Sequence, residues 1–267
     1  MTDHPVTSEI GVTRKDGIAE VVLRRAGGRN ALSMQVLNEL RQIANALRGD
    51  TSVHAIILTG EPAFSAGADL KDPALAVRTR AGLLERREML RAGPDACDAW
   101  AALDQVTICA IEGYCIGGGV SLSVACDFRV AAQDAYFRLP EIPLGMNMSW
   151  HTLPRLTALM GPARTKWLTI MGEPLEAPTA QTWGLVDILA SPGEALHAAR
   201  SLAAKVVALP PVAIRMSKRT ITEIAAHNAA LASHMDLDQF ALAATGEDNA
   251  EAIQAFLERR APKFTGR

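Results

Sequence analysis

This chain lacks an excess of either charge. Its 267 residues carry 27 basic and 29 acidic side chains, for a formal net charge of −2. A balanced surface offers no long-range field to gather a polyanion, so the composition points away from nucleic acid and from an anionic membrane surface. The basic pairs Arg24-Arg25, Arg86-Arg87 and Arg259-Arg260 read as solvated faces. Long apolar runs are also missing: none approaches the ~20 residues that cross a bilayer. The stretch Met1 to Val6 has no basic region followed by an apolar one, so no secretory leader is expected.

Cysteine is scarce. Cys97, Cys109, Cys115 and Cys126 follow no metal-ligand spacing and sit in or beside apolar segments. A reduced cysteine there behaves as a small hydrophobe, so a reducing, cytoplasmic setting without a metal is expected. Ser65, Ser121 and Ser123 lie outside any Gly-x-Ser-x-Gly elbow, which argues against an α/β-hydrolase.

What is present suits a globular protein with a sizeable core: 49% of the residues are hydrophobic and 21% charged. Two β-like runs, Ile10 to Arg14 and Ile18 to Leu23, flank Asp16-Gly17 and read as a hairpin. Ser33 opens a helical pattern that Gly49 stops. His54 to Thr59, Val106 to Ile111 and Phe128 to Ala131 read as short strands, the first two buried. Residues 73–103 read as mostly helical, broken at Gly93-Pro94. Helices are expected over 118–125, 164–171, 193–209, 212–244 and 247–260. The alternation of strand and helix in the first half predicts an α/β architecture with largely parallel strands. The helical tail carries apolar faces that need cover from the core or another subunit.

Two glycine-rich segments carry the chemistry. One is Ala63-Phe64-Ser65-Ala66-Gly67-Ala68-Asp69-Leu70 and the other runs from Ile111 to Leu122 through Gly117-Gly118-Gly119. Each follows an apolar run and precedes a helix. Such a pair can aim two main-chain N–H groups at one point, as an oxyanion hole requires. Glycine in the second segment admits close approach of a ligand, and Gly118 would open a helix whose N-terminus favours negative charge. Asp69 reads first as a turn or cap residue.

The chain resembles the crotonase, or enoyl-CoA hydratase/isomerase, family over nearly its whole length. The matching motifs are Arg29-Asn30-Ala31-Leu32-Ser33, the Phe64 to Leu70 segment, Gly113 to Gly119 followed by Ala125-Cys126-Asp127, Phe137-Arg138-Leu139-Pro140-Glu141, and Ala255-Phe256-Leu257-Glu258-Arg259-Arg260. The resemblance implies a spiral core of ββα turns, here residues 1–195, with a C-terminal helical trimerisation region, 196–267. It implies an acyl-CoA thioester substrate, no cofactor beyond the coenzyme A of that substrate, and a homotrimer or a hexamer. The oxyanion donors would be the N–H groups of Ala68 and Gly118, and the acid/base would be Glu141. Ala66, Asp69 and Leu70 would border the substrate, with Ala66 near the adenine and Arg25 near the phosphates. Phe256 and Arg259 would help cover the nucleotide, in this subunit or a neighbouring one.

One departure bears on the reaction. Hydratases of this family carry a second glutamate where this chain has Ser121, and serine is no carboxylate base at neutral pH. A 1,3-proton shift run by Glu141 alone fits better, although a serine can still orient water, so hydration stays open. Thioester hydrolysis, carbon–carbon cleavage and a non-catalytic acyl-CoA-binding role are further alternatives. In the stretch Leu144 to Arg155, Asn147, Ser149, Trp150 and His151 replace the small residues of the hydratase pattern. If they line the acyl pocket, the pocket is narrower or more polar, and His151 could be an auxiliary base.

Overall fold

The computed structural model describes residues 9–226 and 232–267. Strands β1 (Ile10–Lys15) and β2 (Ile18–Leu23) form the expected hairpin, and both Asp16 and Gly17 take positive φ, as a two-residue turn of this hand requires. Helix α1 (Met34–Arg48) starts at Ser33, whose hydroxyl accepts from the Val36 amide at 3.2 Å. Strand β3 (Ala55–Gly60) follows, then helices α2 (Pro73–Arg80), α3 (Leu83–Leu90) and α4 (Ala92–Ala101).

The helical breaks in this stretch fall at Ala81-Gly82 and Arg91, which corrects the expected break at Gly93-Pro94. Those two residues occupy the first turn of α4, where the missing N–H of proline has no helical acceptor to lose.

Strand β4 (Val106–Ile111) leads to β5 (Tyr114–Ile116) and helix α5 (Gly118–Ser123). Strand β6 (Phe128–Ala132) leads to β7 (Tyr136–Arg138) and, after a short turn at Ile142–Leu144, to helix α6 (Thr152–Met160). The remainder comprises α7 (Pro162–Met171), β8 (Leu175–Glu176), α8 (Ala177–Trp183), β9 (Ile188–Ala190), α9 (Ala195–Val207) and α10 (Pro211–Ala226). Helices α11 (Asp236–Ala243) and α12 (Glu247–Glu258) close the chain. The helix expected over 212–244 is divided: a turn occupies 234–235, and residues 227–231 lie outside the described residues.

Six strands form the large sheet in the order β1-β2-β3-β4-β6-β9, antiparallel at β1-β2 and parallel elsewhere. Strands β5, β7 and β8 form a small second sheet that the sequence pattern does not announce. Twice the chain runs from the large sheet to the small one and then into a helix: β4-β5-α5 and β6-β7-α6. A third passage follows β3, because Ser65 pairs with Cys115 of β5 as a parallel bridge before α2 begins. These are the ββα turns of the spiral.

Both faces of the large sheet are covered, which is why its central strands read as unbroken apolar runs. Ile56, Leu58, Cys109 and Ile111 face the side packed by Leu40, Ala44 and Trp100. Ala55, Ile57, Ile108 and Val130 face α9. There Ala195, Ala199 and Ala203, spaced four apart, bring that helix close against the strands. The helix that begins at the expected 195/196 boundary is therefore packed into the core. All four cysteines are free and buried. No described helix is long and apolar enough to cross a membrane.

Candidate active site

The two glycine segments are stitched side by side by backbone hydrogen bonds. The Ser65 amide donates to the Tyr114 carbonyl at 3.1 Å, and the Ile116 amide donates to the Ser65 carbonyl at 3.0 Å. From this bridge each strand advances three residues in the same direction, to Ala68 on one side and Gly118 on the other. The pair is thereby set in register by main-chain hydrogen bonds.

The direction of each amide follows from its neighbours. The Gly67 carbonyl accepts from Leu32, and the Asp69 amide donates to the Leu32 carbonyl. Successive groups of an extended chain alternate, so the Ala68 N–H points the other way. Gly118 is the first residue of α5, where an amide has no helical acceptor. Among the described residues neither amide has a hydrogen-bond acceptor, and both residues line the same cavity. Since α5 is only six residues long, these donors outweigh any helix-dipole contribution.

The first segment is clamped from behind by the Asn-Ala-Leu motif. The Asn30 side-chain amide donates to the carbonyls of Ala63 at 2.7 Å and Glu61 at 3.1 Å. The Ser65 hydroxyl donates to the Asn30 carbonyl at 2.7 Å, and the Ala66 amide donates to the Arg29 carbonyl at 3.1 Å. Asn30 and Ser65 thus position the ledge, a role that their motifs alone do not reveal.

Glu141 enters the same cavity from the small sheet. Strand β7 ends at Arg138, whose carbonyl accepts from the Gly117 amide at 2.8 Å. That bond brings the Pro140-Glu141 corner over the second glycine segment. A Cβ built on Gly117 would fall 2.6 Å from Glu141 Oε1, and Gly117 has φ +51° and ψ −118°. Only glycine satisfies both the space and the backbone here. The other carboxyl oxygen, Oε2, is buried and has no hydrogen-bond partner among the described residues. Burial is the main influence on this carboxyl and outweighs the opposing effects of its own backbone amide and of Arg138, so the pKa is pushed up to about 7. A carboxyl that titrates near neutrality beside two free amide donors can take and return protons.

The cavity encloses about 170 Å³. Helices α2, α3 and α11 supply its far wall through Leu75, Met89, Leu90, Leu237 and Phe240. Trp150 closes one side: a Cβ on Gly118 would meet its ring edge at 2.5 Å, and a Cβ on Gly93 would collide with the indole. Trp150 and His151 both adopt left-handed backbone, at φ +63° and +54°. The bonds that hold this corner are the His151 amide to Asp236 at 2.8 Å and the Arg155 guanidinium to the Trp150 carbonyl at 3.2 Å. Strained backbone retained in this way is characteristic of sites.

Of the residues singled out from sequence, Ala66, Ala68, Asp69, Leu70, Gly118, Glu141 and Trp150 converge on this cavity. Ser121 does not. It is fully buried one turn along α5, where its hydroxyl accepts from Thr152 at 2.7 Å and donates to the Gly117 carbonyl at 3.4 Å. His151 turns away too, its Nδ1 lying 2.9 Å from Asp98, which also pairs with Arg155 at 2.8 Å. That hydrogen bond raises the histidine pKa.

Arg25 is held by Asp69 at 2.7 Å, by Glu9 at 3.1 Å and by the Ala31 carbonyl, with its guanidinium already shared between two carboxylates. Asp69 also accepts from the Lys71 amide at 2.9 Å, the turn geometry expected of it. Phe256 stands on the exposed face of α12 and Arg259 is the exposed residue that caps that helix; both lie outside the cavity lining. His4 and His227 lie outside the described residues. No group of three or more His, Cys, Asp or Glu among the described residues is placed to hold a metal ion.

A family model described as enoyl-CoA hydratase/isomerase matches residues 13–267. A probable enoyl-CoA hydratase of Mycobacterium leprae is 34% identical over 261 residues, covering 96% of this chain and 99% of that relative. The 2,3-dehydroadipyl-CoA hydratase of Escherichia coli is 34% identical over 267 residues, covering 97% of this chain and 100% of that relative. Among solved structures, an enoyl-CoA hydratase from Mycobacterium avium subsp. paratuberculosis aligns with a TM-score of 0.86 at 25% identity, over 98% of this chain and 100% of that chain.

Proposed function

Since the chain belongs to the enoyl-CoA hydratase/isomerase family and shares its crotonase-like α/β fold, we propose that the cavity holds an enoyl-CoA thioester and that its reaction is double-bond isomerisation. The observation that carries this reading is a single glutamate: among the described residues Glu141 is the sole glutamate lining the cavity, and the position of a second acid is a serine buried below it. The thioester oxygen would lie between the amides of Ala68 and Gly118. Glu141, ionised, would remove a proton from the acyl chain, and the two amides would stabilise the charge that moves onto the oxygen. The protonated Glu141 would return that proton at the other end of the dienolate, closing the cycle with no net gain or loss. Trp150 would narrow the acyl site and keep water from the intermediate. No cofactor other than the coenzyme A of the substrate is required by this chemistry.

A second reading is hydration, favoured by the names of the relatives, two of which are hydratases matched end to end. It needs a water held by something other than a second carboxylate. The test offers a 3-enoyl-CoA and a 2-enoyl-CoA separately and follows the conjugated thioester absorbance. Isomerisation predicts gain of absorbance from the 3-enoyl substrate, abolished in Glu141→Gln. Loss of absorbance from the 2-enoyl substrate with no action on the 3-enoyl one would establish the hydratase instead.

A trimer, or a hexamer built from trimers, is proposed on the exposed apolar residues of the C-terminal helices, among them Met216, Ile221, Ile224, Phe256 and Leu257. Light scattering at several concentrations tests it. Phe256 and Arg259 would then cover the nucleotide from a neighbouring subunit, since they lie away from the cavity within one chain.

A further inference from the structure

Besides Glu141, three ionisable side chains among the described residues line the cavity: Asp69, Asp72 and Arg78. Asp69 is engaged by Arg25 and the Lys71 amide. Asp72 caps α2, with one carboxyl oxygen accepting from the Ala74 amide at 2.9 Å and the other from the Met34 amide at 2.7 Å. Both acids are therefore committed to holding the backbone. Arg78 is the sole cation among the lining residues.

The other side chains of the helical wall offer it no acceptor. Leu75, three residues earlier, shares its helix face and lines the cavity with it. Met89 and Leu90 of α3, with Leu237 and Phe240 of α11, add apolar side chains to the same cavity lining. Arg78 is half-buried. Burial is the largest influence on its guanidinium, Arg86 repels it, and Asp72 attracts it; together these hold its pKa below the ordinary arginine value. A guanidinium stays charged at neutral pH even so. A fork of donors set into an apolar wall is costly unless an acceptor meets it, and a planar carboxylate is its best match.

We propose that Arg78 is a specificity residue that binds a carboxylate at the far end of the acyl group, a role that rests on the cavity being a thioester site. The preferred substrate is then a short ω-carboxyacyl thioester rather than a plain fatty-acyl one. The cavity, at about 170 Å³, suits a short chain spanning from the ledge to the wall. A phosphate of coenzyme A offers the same anionic chemistry. The apolar neighbours favour the acyl terminus, because a multiply charged phosphate would forfeit more hydration there than a single carboxylate.

The test is titration calorimetry of the full chain with adipyl-CoA, hexanoyl-CoA and free coenzyme A, using wild type, Arg78→Met and Arg78→Lys. Wild type should bind adipyl-CoA at least tenfold more tightly than hexanoyl-CoA. Arg78→Met should erase that preference while leaving hexanoyl-CoA and free coenzyme A within about twofold, which also shows that the variant is folded. Arg78→Lys should keep part of the preference. In turnover, Arg78→Met should raise KM for the ω-carboxy substrate with kcat little changed. Equal wild-type affinity for the two thioesters overturns the proposal. So does a variant that loses affinity for all three ligands alike, which would place a phosphate at Arg78. If neither thioester binds wild type better than free coenzyme A, the thioester reading itself falls, and the proposal with it.

Discussion

The two walls of the cavity are built on different principles. The ledge formed by residues 63–70 and 113–119 belongs to the sheets and presents backbone: its geometry comes from the Ser65–Cys115 bridge and the Asn30 clamp. The opposite wall belongs to helices α2, α3 and α11 and presents side chains. The ledge can be used for any thioester, since every such substrate develops the same oxyanion. The helical wall meets only the variable acyl part. Conserving the reaction and changing the substrate are thus assigned to separate pieces of structure, with Glu141 and Trp150 between them.

Replacing the group that spans the two walls should have the largest effect. Glu141→Gln should lower kcat/KM about 10²- to 10⁴-fold, the range for loss of a general base. In wild type, kcat/KM should rise with pH and level off above about 7, where the carboxyl is ionised. Stability should move the opposite way. A carboxyl whose folded-state pKa is raised favours the folded chain below its unfolded value and loses that contribution as pH rises through about 7. Glu141→Gln should therefore gain on wild type between pH 5 and pH 8, by at most about 3 kcal/mol, measured by denaturant unfolding. An activity profile flat across pH 6 to 8 would break the assignment.

A change confined to the ledge comes next. Gly117→Ala places a side chain in a backbone region suited to glycine and against Glu141 Oε1, so it should cost activity about tenfold to a hundredfold. The loss should be the same for every thioester tested. A loss that varied with the acyl chain would show the ledge to be part of the specificity wall.

Two smaller effects test what lies behind the walls. Asp98→Asn removes the partner that raises the His151 pKa, and that pair contributes stability below the unfolded histidine value, lost as pH rises through the raised folded one. The variant should be destabilised more at pH 6 than at pH 9, by under about 1 kcal/mol, because Asp98 is well exposed. Turnover at saturating substrate should hardly move if His151 only braces Trp150. The smallest effect is expected from Ser121→Ala, about twofold or less in kcat, since that hydroxyl faces Thr152 rather than the cavity. A large loss would bring the serine back into the chemistry and favour hydration.

Much of the spiral is legible in the sequence because its signals are local. The Asp16-Gly17 turn, the Ser33 cap and the strand at Val106 to Ile111 each follow from a few adjacent residues. The small sheet is not legible, since its strands are two or three residues long and are defined by partners far along the chain. The same distinction runs through the site. Ala68, Gly118 and Glu141 stand out because short motifs surround them. Gly117 can be found from the triple glycine alone, one member of which must take the strained turn. Arg78 has no such signal, because the cavity wall it belongs to is assembled from three separate helices.

By itself, then, the sequence determined the chemistry offered: two small-residue turns able to present free amides, one carboxyl, and a serine where a second acid would stand. Those are matters of residue type and short-range backbone preference. Only the tertiary structure decided that the two amides face one cavity, that one oxygen of the carboxyl is buried there without a partner, and that the serine and the histidine are turned away. These outcomes depend on strand register and on burial, which arise only when distant segments pack together.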